Sequence, residues 1–130
     1  MCKPVHHEVD FSAKPREVYD AYLDSRTHAT MTGEPARMSH KEGGRFTAGG
    51  TYISGYNLEL IPGKRIVQAW RASEWPKGVY SVLRLELKTR GKGTRMTVDH
   101  VGIPDPFREG VDEGWTEFYW SPMKEYFAKP

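Results

Sequence analysis

Residues 81–103 read SVLRLELKTRGKGTRMTVDHVGI and contain two alternating apolar and polar runs on either side of a glycine pair. The positions that share the more apolar face are Ser81, Leu83, Leu85 and Leu87, then Met96, Val98 and His100. A period of two is typical of strands with one buried and one solvated face. Gly91-Lys92-Gly93 supplies residues that accept a positive φ in a turn. The stretch predicts an antiparallel hairpin of strands near 79–90 and 93–103.

The same period extends toward the N-terminus, with turns at Pro62-Gly63 and at 76–78. Further strands are predicted near 36–41, 45–48, 51–61 and 65–73. A first strand is predicted at 5–11, and its inward face is expected to carry Val5, His7, Val9 and Phe11. The middle of the chain is therefore predicted to be an antiparallel meander.

Three segments have helical character. Pro15 suits a first helical position, and apolar pairs four residues apart follow it. A single helical turn is predicted near 28–31. From about Gly110 to Lys129, apolar and aromatic residues recur at helical spacing, and Pro122 is predicted to distort this long helix. The residues that define its apolar stripe are Val111, Trp115, Phe118, Tyr119 and Met123.

A sheet with one apolar face must cover that face, and the long C-terminal helix is the larger candidate to do so. A chain of 130 residues suits a single domain, residues 1–130, with one core. The predicted fold class is α+β: a curved antiparallel sheet of about six or seven strands around a long C-terminal helix. Aromatic side chains of uneven shape between a sheet and a helix commonly leave a cavity, where small ligands bind.

The overall composition argues against several functional classes. The chain has 19 basic and 17 acidic residues with no basic stripe, which argues against nucleic-acid binding. Cys2 is the single cysteine, so an internal disulfide framework is excluded and a reducing compartment is favoured. No stretch reaches the ~18 apolar residues of a membrane span, and the N-terminus lacks the apolar core of a signal peptide. We expect a soluble cytoplasmic protein.

Residues 55–71, GYNLELIPGKRIVQAWR, resemble the central strands of the domain named for activators of the heat-shock-protein-90 ATPase. Gly43-Gly44 with Phe46 matches an early hairpin of that family. Further matching stretches follow in the family's order, namely Gly93-Thr94, residues 100–104, Gly114-Trp115, Tyr119-Trp120, residues 122–124 and Tyr126-Phe127. The resemblance extends from about Val9 to Phe127.

The resemblance implies the helix-grip fold of the START-like (SRPBCC, Bet v-like) superfamily, often with an interior cavity. The family includes a domain of the eukaryotic co-chaperone that stimulates the chaperone's ATPase, so the resemblance also implies a chaperone as a partner.

Six residues are candidates for contact with a ligand in such an interior. His100 shares the inward face of its strand, where it is a core histidine, a ligand contact or an acid/base group. Gln68 and Trp70 share a face with Ile66. The remaining candidates are Tyr56, Trp115 and Tyr119, each of which is either a core aromatic or part of a pocket wall.

No catalytic set, metal site or cofactor motif is predicted. Residues 43–50 are glycine-rich but match neither a dinucleotide fingerprint nor a phosphate loop. Glu17, Asp20 and Asp24 share a helix face that is more typical of solvated surface than of a metal site. Asp99 and His100 point to opposite faces of their strand, so they are not a dyad.

Three functions are compatible with these observations. The first is a non-enzymatic domain that binds a small apolar or amphipathic molecule. The second is a protein-interaction module related to chaperone activators, and the third is a cyclase-like or hydrolase-like enzyme that uses His100. The oligomeric state stays open.

Overall fold

A computed structural model describes residues 3–128, so Cys2 and its predicted lack of a disulfide partner lie outside the described part. Six strands form one sheet: β1 Val5–Phe11, β2 Arg45–Ala48, β3 Ile53–Ile61, β4 Arg65–Ala72, β5 Ser81–Arg90 and β6 Gly93–Val101. The helices are α1 Pro15–Leu23, α2 Ser25–Thr32, α3 Asp105–Gly114 and α4 Ser121–Ala128, and a π-helical segment at Trp115–Trp120 joins α3 to α4. The α+β fold class is confirmed, with a curved antiparallel sheet and a C-terminal helix.

The strand order is β1-β6-β5-β4-β3-β2, and every neighbouring pair is antiparallel. The hairpin of β5 and β6 pairs Leu85 with Val98, which are both fully buried. β1 pairs with β6 and places Val5 opposite His100. The first strand therefore lies beside the last one, and β2 is the other edge of the sheet.

The prediction of a strand near 36–41 is wrong. That segment makes only an isolated bridge between Arg37 and Thr47. Its backbone carbonyls are bound by a side chain instead, because the Asn57 amide donates to Ser39 O at 2.9 Å and to Lys41 O at 3.1 Å. The buried Asn57 side chain thus supplies hydrogen bonds that the backbone of a neighbouring strand would otherwise have supplied.

The C-terminal helix begins at Asp105, five residues before the predicted start near Gly110. Pro106 lies in its first turn, where the missing N–H costs nothing. The predicted distortion at Pro122 takes the form of the π-helical segment, in which the Ser121 N–H donates to the Thr116 carbonyl. A proline ring crowds the carbonyl four residues earlier, and a wider turn gives that carbonyl room.

One continuous hydrophobic core lies between the inner face of the sheet and the helices. Phe11 of β1 packs edge-on against Phe127 of α4, with ring centroids 5.6 Å apart. Gly55 is required in β3 because a Cβ there would overlap the carbonyl oxygen of Ala69. The ring of Phe46 packs on the same position, since its Cε1 lies 3.0 Å from where that Cβ would be.

Candidate ligand site

His100 lies fully buried between the sheet and the C-terminal helix. Its Nδ1 accepts a hydrogen bond from Trp115 Nε1 at 3.0 Å, so the proton of the neutral ring is on Nε2. Nε2 donates to Ser81 Oγ at 2.7 Å, and that hydroxyl donates to the Trp70 carbonyl at 2.9 Å. Each polar atom in this chain of bonds has a partner.

Burial lowers the pKa of His100 to about 3, so the ring is neutral near pH 7. A general acid or base must exchange a proton with a reactant, but both ring nitrogens of His100 are already hydrogen-bonded to protein groups. The geometry thus gives the acid/base reading no support. His100 instead positions the C-terminal helix through Trp115.

Two other histidines accept bonds from the same helix. Tyr119 Oη donates to His28 Nε2 at 2.8 Å, while His28 Nδ1 donates to the Tyr22 carbonyl at 2.7 Å. Burial lowers the pKa of His28, which keeps this ring neutral as well. Trp120 Nε1 donates to His7 Nδ1 at 2.8 Å.

The C-terminal helix is therefore held by three aromatic donors that each meet a histidine nitrogen. Two of the histidines, His7 and His100, come from neighbouring strands β1 and β6, and His28 comes from α2. The alternation of β1 indicated that His7 points inward. Nothing in the sequence indicated that these histidines would bind the same helix. His28 is 91 positions from Tyr119, and His7 is 113 positions from Trp120.

A cavity of about 660 Å³ lies between the sheet and the first half of the C-terminal helix. This volume is within the range of small-molecule pockets. Its wall contains seven aromatic residues: Tyr52, Trp70, Trp75, Phe107, Trp115, Phe118 and Tyr119. The side chain of Phe118 is 60% exposed, so the cavity reaches the surface beside it.

The structure brings three of the six predicted residues together, since Trp70, Trp115 and Tyr119 all line the cavity. His100 and Gln68 are fully buried but are not part of the cavity wall. Gln68 Nε2 donates to Asn57 Oδ1 at 3.0 Å.

The placement of Tyr56 in the interior is wrong. Tyr56 lies on the outer face of the sheet with 38% of its surface exposed, and its ring contacts that of Tyr80. Its neighbours Gly55 and Asn57 are the buried residues of β3. Alternation along the strand therefore directs Tyr56 away from the cavity.

Sequence reasoning missed several wall residues. Trp75 comes from the connection between β4 and β5, and Phe107 comes from the unpredicted first turn of α3; their rings are 6.2 Å apart. Trp75 precedes Pro76 and Phe107 follows Pro106, so the prolines suggested turns and hid two aromatic residues. The indole Nε1 of Trp75 is buried and has no hydrogen-bond partner within residues 3–128.

Two negative findings concern only the described residues. No group of three or more His, Cys, Asp or Glu side chains there could hold a metal ion. No helix in the same part of the chain is long and apolar enough to cross a membrane.

The architecture of sheet, cavity and C-terminal helix defines a START-like domain. Residues 12–128 match the family model described as activator of Hsp90 ATPase homolog 1-like protein. The chain belongs to this family.

Two curated relatives illustrate the sequence similarity. The chain is 32% identical over 120 residues to an activator of 90 kDa heat shock protein ATPase homolog from Dictyostelium discoideum, covering 92% of this chain and 31% of the relative. It is 29% identical over 118 residues to the human homolog 1, covering 91% of this chain and 35% of the relative. The chain thus spans about a third of the length of these relatives.

Two solved structures illustrate the fold. An HSP90 activator from Plasmodium falciparum superposes with a TM-score of 0.89 at 21% identity, covering 98% of this chain and 97% of the other. The Aha1 dimer from Colwellia psychrerythraea gives a TM-score of 0.80 at 14% identity, covering 96% of both chains. At these identities the likeness concerns the fold alone.

Proposed function

We propose that this chain acts as one non-catalytic domain, residues 1–130, that binds a small apolar or amphipathic molecule between its sheet and its C-terminal helix. The observation that carries the proposal is the cavity of about 660 Å³ with seven aromatic side chains in its wall. Burying an apolar guest against such rings gains roughly 25 cal/mol per Å² of apolar surface removed from water. Trp70, Trp115 and Tyr119 are the predicted contact residues.

The hydrogen bonding of the interior supports binding rather than catalysis. Ser81 and His100 bond to each other, and their other polar atoms bond to Trp70 and Trp115. These groups hold the cavity wall in place. A rigid wall lowers the entropic cost of binding, because the aromatic rings are already ordered.

Gly110 offers a direct test because it lines the cavity from within α3 and a Cβ there would meet no other atom within 4 Å. A Gly110→Leu variant is expected to fill part of the cavity without disturbing the helix. The measurement is native mass spectrometry of both proteins purified from the natural host, where the parent protein should retain an added mass and the variant should not.

Gly110→Ala is the matched control, because its single methyl group leaves most of the cavity free. It should retain the same mass as the parent protein. If the parent protein carries no added mass and binds no apolar dye, or if Gly110→Leu binds as well as Gly110→Ala, the proposed function is wrong.

A second candidate function is modulation of a chaperone ATPase of the Hsp90 class. Family membership and the 32% identity to a homologue of such an activator favour it. The host's own chaperone should then hydrolyse ATP faster with this protein present and co-elute with it on a sizing column. An unchanged rate without a complex would contradict this candidate, and the predicted cytoplasmic location would be tested by fractionation of the same cells.

A further inference from the structure

The charged side chains of the cavity wall are all negative. Its only ionisable side chains among the described residues, apart from tyrosines, are the carboxylates of Glu34 and Glu74, and no Lys, Arg or His lines it. Both glutamates are exposed, so they lie where the cavity meets solvent. A guest with a negative head group would meet like charge there and no counter-charge.

These two carboxylates differ from those on the outer face of the sheet. On that face Asp10 bonds to Arg95 at 2.9 Å, and Asp99 bonds to Arg84 at 3.1 Å. Within residues 3–128, neither Glu34 nor Glu74 forms an ion pair with a cationic side chain. Glu74 accepts only a neutral donor, the Tyr52 hydroxyl at 2.5 Å. The negative charge at the cavity is therefore not neutralised by the protein.

We propose that the ligand is a cationic amphiphile that carries an amine or quaternary ammonium group. The cation lies beside Glu34 and Glu74, and the apolar body packs against the aromatic side chains that line the cavity. Aromatic faces attract cations as well as apolar groups, so the wall suits both parts of such a molecule. This inference rests on the proposed ligand-binding function and specifies its chemistry.

Three probes of equal chain length test the charge by calorimetry: decyltrimethylammonium, 1-decanol and decanoate. The two ionic probes are titrated below their micelle concentrations, and 1-decanol below its solubility limit. Decyltrimethylammonium should bind at least tenfold more tightly than decanoate, with 1-decanol between them. In the double variant Glu34→Gln with Glu74→Gln this preference should fall to less than threefold. The control is Glu109→Gln with Glu125→Gln, which removes two exposed charges of the C-terminal helix that do not line the cavity. This control variant should retain the full preference.

The outcomes separate the two proposals. If none of the three probes binds, the proposed ligand-binding function fails. If all three bind equally, or decanoate binds most tightly, ligand binding stands and the cationic class is wrong. A preference that survives in the Glu34 and Glu74 double variant also overturns the assignment.

Discussion

The two halves of the C-terminal helix contact the sheet in different ways. The second half, from Trp115 onward, buries Trp115, Tyr119, Trp120 and Met123 and donates three hydrogen bonds to histidines. The first half, α3, buries no residue completely and lies over the cavity. The second half is therefore the anchored half, held by aromatic donors, whereas α3 is attached by the polar contact of Asp112 with His7 and forms one wall of the cavity.

The largest expected effect is on the anchored half. Trp120→Ala should lower the free energy of unfolding by about 3–5 kcal/mol, because it removes a buried ring and the donor to His7. Phe107→Ala in α3 should cost only about 1 kcal/mol, since that ring is half-buried beside the cavity. Urea unfolding of both variants measures the difference, and equal losses would contradict the contrast between the two halves.

The next largest effect is expected from acid, which should lower the free energy of unfolding through the histidines that hold the anchored half. The folded pKa of His100, about 3, is below the ordinary value of 6.5, so between these values the unfolded chain binds a proton that the folded chain does not. Stability is therefore complete above pH 6.5 and falls as the pH decreases toward 3. The loss from pH 7 to pH 5 should be about 2 kcal/mol for His100 alone.

His28 acts in the same direction because burial lowers its pKa too, whereas the exposed His6, whose pKa is raised by its hydrogen bond to Asp99, opposes the loss. Unfolding curves at pH 7 and pH 5 measure the sum. His100→Gln retains an amide acceptor but cannot titrate, so its stability should change much less with pH. An identical pH dependence in parent and variant would refute the role of His100.

A smaller effect is expected from removing one donor without changing the packing. Tyr119→Phe leaves His28 Nε2 without its hydrogen bond and should cost about 1–2 kcal/mol. Tyr126→Phe on α4 is the control, since that side chain is 37% exposed, and it should cost less than about 0.5 kcal/mol. Thermal unfolding of the two variants distinguishes them, and similar costs would show that the histidine bond contributes nothing.

The smallest effect concerns α3. Gly110→Ala should raise the free energy of unfolding by about 0.5–1 kcal/mol, because alanine is the better helix former and its methyl group meets no atom within 4 Å. Urea unfolding measures it. A loss of stability would show that the added methyl group meets other atoms, which would contradict the open space around Gly110.

Regular alternation was the feature that allowed prediction. In β5 and β6 it assigned the inward face correctly, from Leu83 to His100, because a strand that is buried on one side must place apolar residues at every second position. In β3 the pairing shifts between Asn57 and Glu59, and polar Asn57 points inward while Leu58 is exposed. The face of Tyr56 could not be read from such a strand, and the choice of this residue for its aromatic ring was wrong.

Elements stabilised by distant partners were harder to predict. The segment near 36–41 alternates Ala36 and Met38 with polar residues, yet a side chain from β3 binds its carbonyls. The start of α3 was hidden because prolines indicate turns as often as first helical positions. Trp75 and Phe107 were missed for this reason, although both belong to the cavity wall.

The sequence alone determined the α+β class, the antiparallel meander and the aromatic stripe of the C-terminal helix, because these follow from local periodicity and turn residues. The tertiary structure brings His7, His28 and His100 to that stripe, where each accepts a hydrogen bond from it. It also decided that Glu34 and Glu74 would share the cavity with Trp75. These groups lie far apart along the chain, and only the pairing of the strands and the docking of the helix bring them together.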